Sequence, residues 1–194
     1  MTWSGNAITL AADLEVSGPA ATATIASQIG NTIQTIWNAS FDDNYSVACH
    51  VNMKFRGTGS EDSTRSQIVV SVDSSATYVS TLPTLYYAHM EYHTSSVITW
   101  TPAHEFGHML GLNDRYSEST WSRIRDMFGY SRYTTVEPGW AGNIMASHFG
   151  TLQKRNIQEL FALHAYEMVT FIEDAANEFV SGLERGIRGL YGVP

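Results

Sequence analysis

One cysteine, two lysines and the absence of any long apolar run set the first limits on this 194-residue chain. The lone thiol, Cys49, cannot close a disulfide within the chain, and it leaves the redox compartment undecided. A membrane-spanning helix needs about 18 consecutive apolar residues, and no stretch approaches that. The opening residues Met1-Thr2-Trp3-Ser4-Gly5-Asn6 have neither a basic region nor an apolar stretch, so they do not read as a signal peptide. Positive charge is scarce: 11 Lys and Arg face 19 Asp and Glu, for a net charge of -8. Such a surface repels phosphate backbones and anionic lipid, so neither nucleic acid nor a membrane is expected as a partner. There are no internal repeats and no low-complexity tract.

What is present suits one globular domain over residues 1–194, with 43% hydrophobic residues to build a core. Ile8, Leu10, Ala12, Leu14 and Val16 alternate with Ala7, Thr9, Ala11, Asp13 and Glu15, the period of a strand with one buried face. After Ser17-Gly18-Pro19 the period lengthens. Ile25, Ile29, Ile33, Ile36 and Trp37 then fall on one stripe, which predicts an amphipathic helix over 20–39. Tyr45, Val47, Cys49, Val51, Met53 and Phe55 predict a second strand, with Cys49 in the core and His50 on the other face. A polar loop over 57–63 precedes a third strand over 67–73. Residues 85–94 read as an edge strand on which His89, Glu91 and His93 share a face. His89 and His93 would be about 13 Å apart there, too far to hold one ion, so a solvent- or cleft-facing row is expected.

The chemistry is concentrated in His104-Glu105-Phe106-Gly107-His108-Met109-Leu110-Gly111-Leu112-Asn113-Asp114. Four residues turn an α-helix by about 400°, so on a helix over 98–111 the two imidazoles lie one turn apart and can share a tetrahedral metal. Glu105 is placed beside them to take a proton from a water activated by that metal. Gly111 accepts the left-handed backbone that reverses the chain, and Asp114 is thereby offered as the third ligand. Chance would produce the H-E-x-x-H core roughly 0.01 times in a chain of this composition. The carboxylates that compete with Asp114 are Glu118 and Glu137.

This motif, followed by Asn143-Ile144-Met145-Ala146, resembles the metzincin clan of zinc endopeptidases, in which a methionine turn lies beneath the metal. The resemblance implies His104, His108 and Asp114 as zinc ligands, Glu105 as general base and Met145 as the floor of the site. It also implies an α+β fold with a mixed twisted sheet. An upper subdomain, 1–114, would carry an N-terminal helix and the zinc-binding helix. An irregular lower subdomain, 115–194, would carry the methionine turn and a long C-terminal helix. The apolar stripe from Ile157 to Leu183 fits that helix, with Asn156 and Glu159 as a capping box and His164 as a core residue. Two departures stand out: Asp at the third ligand position, where most of the clan has His, and Ser147 rather than Tyr two residues after Met145.

The implied activity is endoproteolysis of an extended peptide added to the edge strand. One catalytic Zn2+ would be the cofactor, and Tyr116, His148 or a tyrosine of 127–133 would stabilise the oxyanion. The runs 104–116, Asn143-Ile144-Met145 and Arg155-Asn156-Ile157 are also similar to peptidase toxin domains of bacterial polymorphic toxins. That likeness implies a protein delivered into a target cell and an immunity protein or inhibitor as partner. A free-standing secreted protease is the alternative. The rival from another class is a non-catalytic, zinc-stabilised interaction module. Structural zinc sites usually have four protein ligands and lean on cysteine, whereas this motif offers three ligands and an intact Glu105.

Overall fold

The computed structural model describes residues 2–4, 7–41, 45–57, 66–71, 78–81, 88–118 and 134–163. The chain divides into two compact units, Met1–Lys154 and Arg155–Pro194. The first is a mixed α+β structure. In chain order it holds β1 (Thr2–Ser4), β2 (Ala7–Ser17), α1 (Ala23–Trp37), β3 (Ala39–Ser40), β4 (Ser46–Phe55), β5 (Ser66–Ser71), β6 (Tyr78–Thr81), β7 (Ala88–His93), α2 (Thr101–Met109), β8 (Tyr116–Glu118) and β9 (Thr134–Val136). A further helix, α3, begins at 154 and is described to 163, with Asn156, Ile157 and Leu160 buried. The rest of the expected C-terminal helix, His164 and the stripe to Leu183 included, lies outside the described residues. Among the described residues no helix is long and apolar enough to cross a membrane.

Among the described residues the main sheet runs β3-β4-β2-β5-β7-β6, with β1 paired to β2. β4, β2, β5 and β7 are parallel, while β6 closes on β7 antiparallel. Parallel neighbours need a crossover, and α1 supplies it between β2 and β4. The alternation of β2 is realised in register: Ile8 pairs with Val47, Leu10 with Cys49 and Val16 with Ile68. All six are buried, so Cys49 is the core residue its strand position predicts. α1 starts at Thr22, whose side chain accepts from the Ile25 N–H at 3.1 Å, and it buries Ala26, Ile29, Ile33 and Trp37. Its far end also stoppers the sheet. Asn38 Oδ1 and Gln34 Oε1 accept the Cys49 and Val51 N–H groups along the outer side of β4.

Three expectations need correction. The segment before α2 is not an edge, because β7 lies between β5 and β6 and the short antiparallel β6 takes the outer position. Four residues are too few to announce themselves by periodicity. Residues 115–150 are not wholly irregular: β8 and β9 pair antiparallel, Tyr116 opposite Val136. Glu15 sits on the polar side of β2 yet is fully buried, with Lys54 Nζ at 3.3 Å and Arg56 at 3.6 Å. A central strand is covered by what crosses its neighbours, and long cationic side chains can lie across it. On the same side of β7, His89 Nε2 meets Glu91 Oε1 at 2.8 Å and His93 is buried.

Candidate active site

α2 is built into the core. Pro102, Ala103, His104, Glu105, Phe106 and Gly107 are all buried. Trp37 of α1 locks it laterally, its Nε1 donating to the Ala103 carbonyl at 2.9 Å and its ring meeting Phe106 edge-on at 5.5 Å. Pro102 is tolerated because the first helical turn has no N–H partners to lose. The helix ends at Met109 with Leu110 as its C-cap, shorter at both ends than the expected 98–111. Gly111, at φ 98°, donates its N–H to the His108 carbonyl and Leu112 donates to Gly107, a Schellman closure that only glycine makes without a steric penalty.

The closure brings Asp114 back onto the helix. Asp114 Oδ1 stands 3.4 Å from His104 Nε2 and 3.3 Å from His108 Nε2. The Asp114 loop is fixed from its other side as well, because the Arg115 N–H donates to the Met145 carbonyl at 2.7 Å. Both imidazoles are held from behind. His104 Nδ1 donates to the Ile144 carbonyl at 2.7 Å, and His108 Nδ1 donates to the Leu112 carbonyl at 2.8 Å. A carbonyl can only accept, so each ring donates from Nδ1 and leaves Nε2 facing Asp114, where it donates to the carboxylate when the ring is protonated and can bind a metal when the ring is neutral. Among the described residues these three side chains form the one cluster whose donor atoms can hold a metal ion.

The electrostatics favour positive charge at that point. Burial alone would raise the Asp114 carboxyl, but the hydrogen bonds from His104 and His108 outweigh it and hold the group well below the usual carboxylate range. Burial works against a charged His108, yet Asp114 overcomes it and raises the imidazole above its ordinary value. Glu105 behaves differently. Burial pushes its carboxyl up to about 7, a rise that His104 and His108 oppose and Asp114 reinforces. A carboxyl poised near neutrality can both take and return a proton.

Met145 is fully buried beneath α2. A β-carbon placed on Gly107 would stand 2.5 Å from Met145 Sδ, so the helix backbone rests directly on this methionine, between the two histidine turns. The supporting loop is self-braced: Asn143 Oδ1 accepts the Met145 N–H at 2.8 Å, and the Ile144 N–H donates to Thr151 at 2.8 Å.

Of the other residues singled out by sequence, Glu137 is engaged by Arg115 at 3.7 Å and is not part of the cluster. The Glu118 side chain and the tyrosines of 127–133 lie outside the described residues. His148 is exposed and separated from His104 by Trp100, whose ring it meets edge-on at 5.0 Å. Sequence reasoning passed over Trp100, although it precedes His104 by the same four residues that separate His104 from His108. It also passed over the clamp on the residue after Asp114, where the Arg115 guanidinium lies 4.7 Å from the Trp140 ring centre.

No family model matches the sequence, and no curated protein matches it. Among solved structures the chain is similar to that of myroilysin, with 13% identity over 79% of this chain and 91% of the other, at a TM-score of 0.47.

Proposed function

We propose that this chain is a zinc-dependent endopeptidase in which His104, His108 and Asp114 hold the metal and Glu105 moves the proton. The observation that carries this reading is the spacing of Asp114 Oδ1 from the two Nε2 atoms, 3.4 and 3.3 Å, with both rings tethered through Nδ1. At zinc–ligand lengths of about 2.0–2.1 Å, tetrahedral partners stand about 3.3–3.4 Å apart, the separation of Asp114 Oδ1 from each imidazole, and all three donor atoms lie within 4.8 Å of one another. Three protein ligands leave a fourth position for water or substrate, which separates a catalytic site from a structural one. When bound, zinc supplies Lewis acidity to the scissile carbonyl and the attacking water.

The chain's own groups do the rest. Glu105 takes the proton of the attacking water and returns it to the leaving amine. The carbonyls of Ile144 and Leu112 keep the imidazoles oriented, and Met145 supports the backbone between them. The substrate is an extended protein segment that adds along β6, the outer strand. Zinc chemistry of the metzincin kind and a secreted or delivered, toxin-like role rest on the motif resemblance. On that reading an immunity protein or other inhibitor is the expected partner.

Metal analysis combined with cleavage of an unstructured protein tests the proposal. Glu105→Ala should retain about one zinc per chain and wild-type thermal stability, while cleavage falls at least about 10²-fold. A folded, zinc-loaded variant that still cleaves near the wild-type rate would sink the mechanism.

A further inference from the structure

Trp100, His104 and His108 follow one another at four-residue steps, so three rings line one face of α2 from its N-cap onward. The indole lies nearly parallel on the His104 imidazole, with ring centres 4.8 Å apart and planes at 25°, and His104 in turn meets His108 edge-on at 4.9 Å. At the N-cap a short polar side chain would accept an N–H of the first helical turn, and Trp100 makes no such bond. Its indole N–H donates instead to the Gly150 carbonyl at 3.1 Å, in the same loop whose Ile144 carbonyl accepts from His104 Nδ1. That loop therefore reaches the first imidazole twice. The bond at Nδ1 restrains the ring within its own plane and leaves its tilt to other contacts. The indole, fixed in place through Gly150, covers one face of the ring and limits that tilt.

We infer that Trp100 is a positioning residue for the metal: its ring holds the plane of His104 so that Nε2 stays aimed at the point it shares with His108 Nε2 and Asp114 Oδ1. The inference rests on the zinc-site reading and adds a residue that the H-E-x-x-H motif does not contain. The same stack acts electronically. An imidazole that coordinates a cation becomes poorer in electrons, and the face of an indole is the aromatic surface that best stabilises such charge. Trp100 is half-buried, so the fold draws less on its packing than on that of a core tryptophan such as Trp37.

The test compares Trp100→Leu, which fills space without a ring, with Trp100→Phe, which restores a ring on the imidazole but not the N–H to Gly150. Competition with a chelator should show zinc binding weakened at least about 10-fold in Trp100→Leu, the loss typical of a partner that orients a ligand, and within about threefold of wild type in Trp100→Phe. Cobalt-substituted protein supplies a readout of ligand geometry: the visible absorption should change in Trp100→Leu and match wild type in Trp100→Phe. A loss below about 10-fold in Trp100→Leu, or above about threefold in Trp100→Phe, overturns the inference and leaves the peptidase reading intact. An unchanged cobalt spectrum in Trp100→Leu does the same. Metal-free Trp100→Leu should melt within about 5 °C of metal-free wild type, and a larger fall would mark Trp100 as structural and also overturn the inference. Wild type that takes up no zinc overturns both readings together.

Discussion

Asp114 presents one carboxylate oxygen to two imidazoles, and its side chain is 39% exposed. Removing it should therefore empty the centre without unfolding the protein. Asp114→Ala is expected to weaken zinc binding by more than about 100-fold, beyond the loss typical of an outer-shell partner, and Asp114→His to recover part of it. Competition with a chelator measures this, and wild-type affinity in the alanine variant would refute the ligand assignment. The candidate ligands were legible because a shared ion demands fixed spacing of particular residue types. Cys49 was legible too: it is buried, and burial pushes its thiol up to about 12, so it offers no nucleophile at neutral pH. The Ile144 and Leu112 carbonyls were not, because any residue supplies a carbonyl. Glu15 was misjudged because alternation assigns a side of the strand and not a depth.

The turn between α2 and Asp114 is the element on which the geometry depends. Gly111→Ala would force a β-carbon into φ 98°, at a cost of about 1–2 kcal/mol, and would shift the return path of the chain. The expected result is a lower Tm together with weaker zinc binding, and Gly111→Asn should suffer less on both counts. A Gly111→Ala variant with unchanged zinc affinity would show that the Arg115–Met145 bond alone positions Asp114. Elements of ten residues or more, such as β2, β4 and α1, were readable from their periods. The four residues of β6 and the three each of β8 and β9 were not. Their pairing is set by tertiary neighbours rather than by a local pattern.

For the whole molecule, the raised groups at the centre tie metal-free stability to pH. Glu105 is lifted from 4.5 to about 7 and His108 is also raised, so the folded state holds more protons than the unfolded one as pH rises through this window. Stability should fall as pH rises from about 4.5 through about 7, by on the order of 3 kcal/mol from Glu105 alone. Asp114, held low, contributes stability that is present above its unfolded value of 3.8 and is lost as the medium becomes strongly acidic. Thermal melts in chelator check the sign, and a Tm that rises over that range would contradict it. Added zinc should reverse the trend, because the ion displaces the protons that the cluster otherwise attracts.

The side chains of Gln34 and Asn38 along β4 carry a consequence for assembly. Copies of a sheet with two open margins can join end to end into a ribbon without limit. With the β4 margin occupied from within the chain by β3 and these side chains, the β6 margin is the one left among the described residues where another strand could pair. Two copies meeting there would use up both, and growth would stop at a pair.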